Sequence, residues 1–224
     1  AISGSVEVLK SDMTCEGEDR RLMNLILKES ARLNNILSEF LDYARVKRPT
    51  FAKVEINHLI LDVFDIVRHH SSYHESIDLE HISANTTEYI FGDEEMFKQF
   101  LLNLLVNSVE AIGTDKGKVT VEIKAIDKLK SSNEPSSFEW VKLVVSDTGA
   151  GFPDAGKEKI FDPFFSTKRD GTGLGLPIVR RIVHNFGGRI EVESSPHRGA
   201  EVTVYLKRYI AVSYTHLRAH ATPE

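Results

Sequence analysis

Glycine recurs at alternate positions in Gly171-Thr-Gly173-Leu-Gly175-Leu-Pro177, directly ahead of a helical repeat, and no other run restricts the fold as much. With no side chains in the way, the backbone N–H groups from Gly171 to Gly175 can turn toward an anion, and the following helix adds the positive end of its dipole. A polyphosphate suits such a loop. Upstream, Trp140-Val-Lys-Leu-Val-Val-Ser146 reads as a strand closed by Asp147. A carboxylate there accepts hydrogen bonds and donates none, which suits the exocyclic amino group of an adenine. Gly149 and Gly151 let the chain turn away at once.

Two nucleotide motifs are imitated and rejected. Gly151-Phe-Pro-Asp-Ala-Gly156-Lys157 has Walker spacing, but Glu158 stands where Ser or Thr must reach magnesium, and Pro153 interrupts the amide donors. The Gly171 cluster lacks the Gly-x-Gly-x-x-Gly spacing of a dinucleotide site. A net charge of −5 offers no basic footprint for nucleic acid. The single cysteine, Cys15, excludes an internal disulfide framework and fits a reducing, cytoplasmic setting. No apolar run approaches the roughly 20 residues of a membrane span, so this segment is expected not to contact a membrane.

Residues 1–12 show helical spacing. From 18 to 47 a long amphipathic helix is expected, with Leu22, Ile26, Leu33, Ile36, Phe40 and Tyr43 on one stripe. Together they make a helical hairpin that cannot bury both apolar faces alone, which predicts pairing with a second copy into a four-helix bundle. Pro49 ends it. The expected domains are a hairpin over 1–48, an α+β domain over 49–211, and a tail over 212–224 that resembles translated sequencing-library adapter. The tail is set aside from fold and function, so His216 and His220 are not candidate ligands.

Within 49–211 the pattern predicts a short strand at 51–56, a helix at 57–70, hydrophobic segments at 76–82 and 89–92, and a helix at 93–112. Strands at 118–126 and 138–146 flank a polar hairpin loop. Residues 152–170 read as a mobile flap over the ligand, 174–186 as a helix ending at Gly187-Gly188, and 189–194 with 200–208 as a hairpin. Without regular β–α alternation, this is α+β: a two-layer α/β sandwich with a mixed sheet covered on one face. His69, His70, His81 and His184 read as surface residues.

On the 93–112 helix, Asn103 and Asn107 lie four apart and share a face. Amides inside an apolar helix are costly unless used. One reading is bonding to backbone in the core. The other is a hard oxygen ligand for magnesium arriving with triphosphate oxygens, with Asn107 as the contact.

These motifs together resemble the ATP-binding catalytic domain of two-component sensor histidine kinases, of the GHKL or Bergerat class. Asn103-Leu-Leu-Val-Asn107-Ser-Val-Glu-Ala111 looks like the N box, Asp147-Thr-Gly149-Ala-Gly151 the first glycine box, Phe161-Asp-Pro-Phe164-Phe165 the F box, and Gly171-Thr-Gly173-Leu-Gly175-Leu the second glycine box. Pro163-Phe-Phe-Ser-Thr-Lys168 is most like nitrogen-regulation-type kinases. The resemblance implies ATP and Mg2+ as cofactors. Asp147 would bind adenine, Asn107 the magnesium, Gly171 to Gly175 the phosphates, and Lys168 a phosphate from the flap. Gly149, Gly151, Phe164, Phe165, Thr167, Thr172 and Leu174 would complete the nucleotide site, and Asn103, Asn107 and Lys168 would be the catalytic set. The γ-phosphoryl would pass to a histidine of the hairpin and then to a response-regulator aspartate, in a homodimer joined through the hairpins.

The chain departs from this pattern in one respect. Residues 1–9 look like the stretch immediately after the phosphoacceptor motif, so the accepting histidine is expected upstream of residue 1; His74-Glu75 only mimics it. Two rival readings compete with the kinase. ATP-hydrolysing relatives, as in DNA gyrase and mismatch repair, carry a base Glu four residues before the metal Asn, where this chain has Asn103, so hydrolysis should be feeble. A non-catalytic, nucleotide-gated dimerisation module that docks a response regulator is the other.

Overall fold

A computed structural model describes residues 18–44, 48–83, 87–126, 139–152, 159–168 and 171–209, with the side chains of Asn35, Glu39, Asp42 and Tyr43 excepted. The expected first helix, the acceptor-adjacent residues 1–9, the Walker-like Lys157, the 128–137 loop, the 212–224 tail and Tyr43 of the apolar stripe lie outside the described residues. The chain divides into two compact units. One comprises the segment up to Arg48 with Glu158–Ile178, and the other comprises Pro49–Lys157 with the chain from Val179 onward.

In the first unit, α1 spans Glu18–Ala44. Its apolar positions recur at helical spacing yet stay open: Leu22, Ile26, Leu33 and Phe40 are all exposed. Segment 159–168 contains turns and bends, with no helix or strand among its residues.

In the second unit, β1 (Ala52–Glu55) pairs antiparallel with β3 (Tyr89–Gly92). Ile56 opens α2 (Ile56–Arg68) and does not end the strand, because its side chain is fully buried at the head of that helix's apolar face. The main sheet has the order β2-β4-β5-β7-β6. Its strands are β2 (Ile77–Ser83), β4 (Gly117–Ile126), β5 (Trp140–Asp147), β6 (Arg189–Ser194) and β7 (Ala200–Lys207). Only β2 and β4 run parallel, so the sheet is mixed.

Register explains the layers. Val121, Val145, Val202 and Val192 form one row across β4, β5, β7 and β6. Rows of β-branched side chains pack well on a pleated face, and here Val121 and Val145 are buried in the core while Val202 and Val192 are half-buried toward the far edge. The expectation that His81 is a surface residue is corrected by the same row: His81 pairs with the fully buried Val121 and so points inward at the sheet edge. Its Nε2 is shielded and has no hydrogen-bond partner among the described residues. Burial draws its pKa below the ordinary imidazole value.

The third helix, α3 (Glu94–Ile112), starts where Asp93 caps it, accepting from the Met96 N–H at 3.0 Å. Its buried face is Phe97, Phe100, Leu101, Leu104, Leu105 and Val109. The fourth, α4 (Gly175–Asn185), tolerates Pro177 in its first turn, where an N–H has no helical partner in any case. It ends in a Schellman turn: Gly187 at φ 63° donates to His184 O and Gly188 donates to Val183 O. Glu88, only 1% exposed, is paired by Arg208 at 2.8 Å, which also reaches Glu139. This ties the end of β7 to the β1–β3 ribbon.

Candidate functional site

In the second unit the site is built around the end of α3. β5, the central strand, carries Asp147 at its C-terminal end, and the chain turns away directly after it. One carboxylate oxygen, Oδ1, accepts from the Gly149 N–H at 2.9 Å and from the Ala200 N–H at 3.2 Å. Two fixed backbone donors on one oxygen hold the carboxylate in a single orientation. Gly149 then presses onto the last turn of α3. A Cβ there would sit 2.6 Å from the Ala111 carbonyl carbon and 2.8 Å from the Ala111 Cβ, and the next residue, Ala150, donates to Ala111 O at 3.0 Å. Gly151 holds φ 61° where an added Cβ would strike the Ser195 and Gly199 carbonyl oxygens. The first glycine run is thus required for backbone-on-backbone packing as much as for clearance.

Asn107 lies four residues before Ala111, on the same side of α3. The helix therefore places the Asn107 face and the Asp147 turn in one neighbourhood. Asn103 and Asn107 are both half-exposed. The cost argued for them from an apolar helix is smaller than the sequence suggested, because they occupy a rim strip with Gln99 and Glu110 while the leucines fill the core.

In the first unit the F-box residues and the second glycine run are folded on each other. Phe164 N–H donates to Gly173 O at 3.0 Å, and a Cβ on Gly173 would lie 2.5 Å from the Phe164 carbonyl carbon. Gly173 takes φ 69°, and Phe164 is left-handed at φ 67°, a conformation uncommon for a bulky non-glycine residue. The Phe164 ring is exposed and stacks on Phe40 of α1, centroids 6.4 Å apart at 25°. Phe165 and Lys168 are half-exposed and Thr167 is exposed.

Not every amide in the loop points outward. Gly171 N–H donates to Lys168 O at 3.3 Å, and Leu174 N–H to the Thr172 hydroxyl at 3.3 Å. An anion would have to draw these two away from internal partners that satisfy them in its absence. Leu174 itself is fully buried, so it is a packing anchor for the start of α4.

One contributor escaped the sequence reading. The turn between β6 and β7, read there only as a hairpin connection, supplies the Ala200 N–H to Asp147. The signal was present in Gly199, whose φ of 76° only glycine adopts easily. Nothing in the linear order, however, placed it 52 residues on beside Asp147.

A mixed sheet layered with helices, with an Asp-x-Gly turn seated on a helix end, defines an α+β sandwich of the histidine-kinase catalytic type. Solved structures agree. The catalytic domain of histidine kinase ThkA superposes with TM-score 0.58 at 30% identity, covering 71% of this chain and 96% of that one. Full-length ShkA in complex with AMPPNP gives TM-score 0.69 at 25% identity over 94% of this chain and 43% of its own. ThkA in complex with response regulator TrrA gives 0.67 at 25% identity, covering 93% of this chain and 57% of that one. In sequence, sensor histidine kinase ZraS of Salmonella typhi is 34% identical over 206 residues, 92% of this chain and 42% of that protein. Sporulation kinase D of Bacillus subtilis is 32% identical over 92% of this chain and 38% of its own length. The chain spans less than half of these two relatives.

Residues 92–210 match the family described as histidine kinase-, DNA gyrase B- and HSP90-like ATPase. The chain belongs to that family, and within it to the two-component sensor kinases.

Proposed function

We propose that this chain binds ATP with magnesium and transfers the γ-phosphoryl to a histidine on a dimeric helical hairpin, for relay to a response-regulator aspartate. The observation that carries the reading is the Asp147 carboxylate, held in one orientation by two amide donors beside the helix that bears Asn107, in a chain of this family. Asp147 accepts from the adenine amino group. Gly171–Gly175 and Lys168 hold the phosphates, and Phe164, Phe165, Thr167, Thr172 and Leu174 shape the flap that carries them.

Asn107 suits magnesium by its chemistry: a neutral amide oxygen on a half-exposed strip is a hard donor that leaves room for waters and phosphate oxygens. When bound, the ion would neutralise charge on the triphosphate. Phosphoryl transfer asks the protein for positioning and electrostatics with little covalent work, and the residues present supply those two things.

The exposed stripe of α1 supports assembly with a second copy: Leu33 is 65% exposed and Leu22 57%, too much apolar surface for an isolated helix face. The assignment of residues 1–48 to a hairpin, 49–211 to the catalytic domain and 212–224 to an adapter-derived tail belongs to this proposal. A receiver-domain partner is supported by the ThkA–TrrA complex. Cytoplasmic placement follows from the reaction's need for ATP, and no helix among the described residues is long and apolar enough to cross a membrane.

Labelled ATP mixed with this chain and a separate histidine-bearing hairpin should place label on the histidine. Absence of label, with ATP bound, would support the non-catalytic module instead. Asn103 tests the distinction from hydrolases. Asn103→Glu should raise ATP hydrolysis by roughly 10- to 100-fold, at or below the low end of what a well-positioned general base contributes. A phosphate-release assay showing no gain would mean that this position has no line to the γ-phosphate.

A further inference from the structure

The turn Ser195–Gly199 and its flanking residues lie outside all four motifs, yet their tightest contacts are with the Asp147 turn. Ala200 N–H donates to Asp147 Oδ1 at 3.2 Å, and His197 N–H donates to Ala150 O at 2.7 Å. A Cβ on Gly199 would run into the Asp147 carbonyl oxygen. The buried Ser194 hydroxyl clamps the arrangement, donating to Gly199 O at 2.9 Å and accepting from Phe152 N–H at 2.9 Å. Two left-handed residues, His197 at φ 60° and Gly199 at φ 76°, shape the turn to fit. His197 is among the few non-glycine types that visit this region with any frequency.

We propose that the β6–β7 turn is a specificity-determining element of the nucleotide site: with the Gly149 N–H it engages Asp147 Oδ1 from two sides and fixes which carboxylate atom meets the base. This rests on the reading that Asp147 contacts adenine. The two oxygens of a carboxylate are chemically equivalent, so the consequence is hidden in the native chain. It becomes visible when they are made different. In Asp147→Asn the Gly149 and Ala200 N–H groups still need an acceptor, and only the amide oxygen can serve them. The NH2 group is then forced to the other position. What faced the base as an acceptor now faces it as a donor, which repels the adenine amino group and suits a base with a carbonyl at that carbon, such as hypoxanthine. An asparagine not held by the turn would flip and keep its oxygen toward adenine. Mispaired donors of this kind discriminate more strongly than missing apolar contacts do.

Calorimetry with ATP and ITP on the full chain decides. The native chain should prefer ATP, and Asp147→Asn should reverse the preference, with ITP at least roughly tenfold tighter than ATP. Ser194→Ala, which releases the clamp and keeps Asp147, should leave the ATP-to-ITP ratio near the native value, because either carboxylate oxygen serves the base equally. In combination with Asp147→Asn, it should pull the reversed ratio back toward unity. Retained ATP preference in Asp147→Asn overturns the proposal. So does a reversed ratio that stays unmoved when Ser194→Ala is added to Asp147→Asn while the melting temperature alone falls, since that is all a merely structural hydroxyl would do. Asp147→Ala separates the two levels: if it leaves ATP affinity intact, adenine contact by Asp147 is itself wrong.

Discussion

Arg208→Met should lower the unfolding free energy by about 3 kcal/mol, read from urea denaturation of the otherwise unaltered chain. The reason is the partner that remains. Glu88 is 1% exposed, and Arg208 gives it two guanidinium contacts, Nε to Oε2 at 2.8 Å and NH2 to Oε1 at 3.4 Å. Removing one member of a buried ion pair costs about 3–5 kcal/mol, because the other keeps its desolvation penalty and loses that attraction. The lower end applies because Arg208 is 31% exposed and water can reach part of the site. Arg208 also carries a β-bridge to Ile90 and an ion pair to Glu139, so the variant should loosen the join between β7 and β3. Adding Glu88→Gln to Arg208→Met should recover part of the loss, because the buried carboxylate that lost the Arg208 attraction is then neutral. No recovery would mean that Arg208 acts by packing alone.

Asp147→Ala should weaken ATP binding by roughly 10- to 150-fold, equivalent to about 1.5–3 kcal/mol for a hydrogen bond to a charged group. The substitution has a second cost. Gly149 N–H is buried and loses its acceptor, as does the Ala200 N–H, so the turn itself should be less stable. The affinity must therefore be measured at a temperature where circular dichroism shows the variant folded. Equal affinity in native and variant chains under that condition would remove Asp147 from the nucleotide site and with it the strongest support for ATP as ligand.

The outcome at His81 shows where linear reading stops. Its neighbours in sequence, Glu80 and Ile82, are partly or largely exposed, and a histidine among them gives no sign of facing a core. The pairing of β2 with β4 decides it, through a strand 40 residues away. Likewise Asn103 and Asn107 were correctly set on one face, because helical period is local. How much water they meet depends on what packs beside α3, which is not.

What the sequence determined by itself was everything governed by short-range rules. The alternation that makes β4, the near-continuous apolar run of β5, the 3.6-residue repeats of α1 to α4 and the Gly187-Gly188 stop are all legible, since each depends on residues close together in the chain. The four motifs and their order were legible for the same reason, and they carried the family. Tertiary structure alone decided which backbone groups converge on Asp147. Ala200 lies 53 residues beyond it, and only the antiparallel pairing of β5 with β7 brings its N–H to the carboxylate. A hydrogen bond between distant residues leaves no periodic trace in a chain, because its geometry is set by how the sheet is assembled and not by any repeat along the strand.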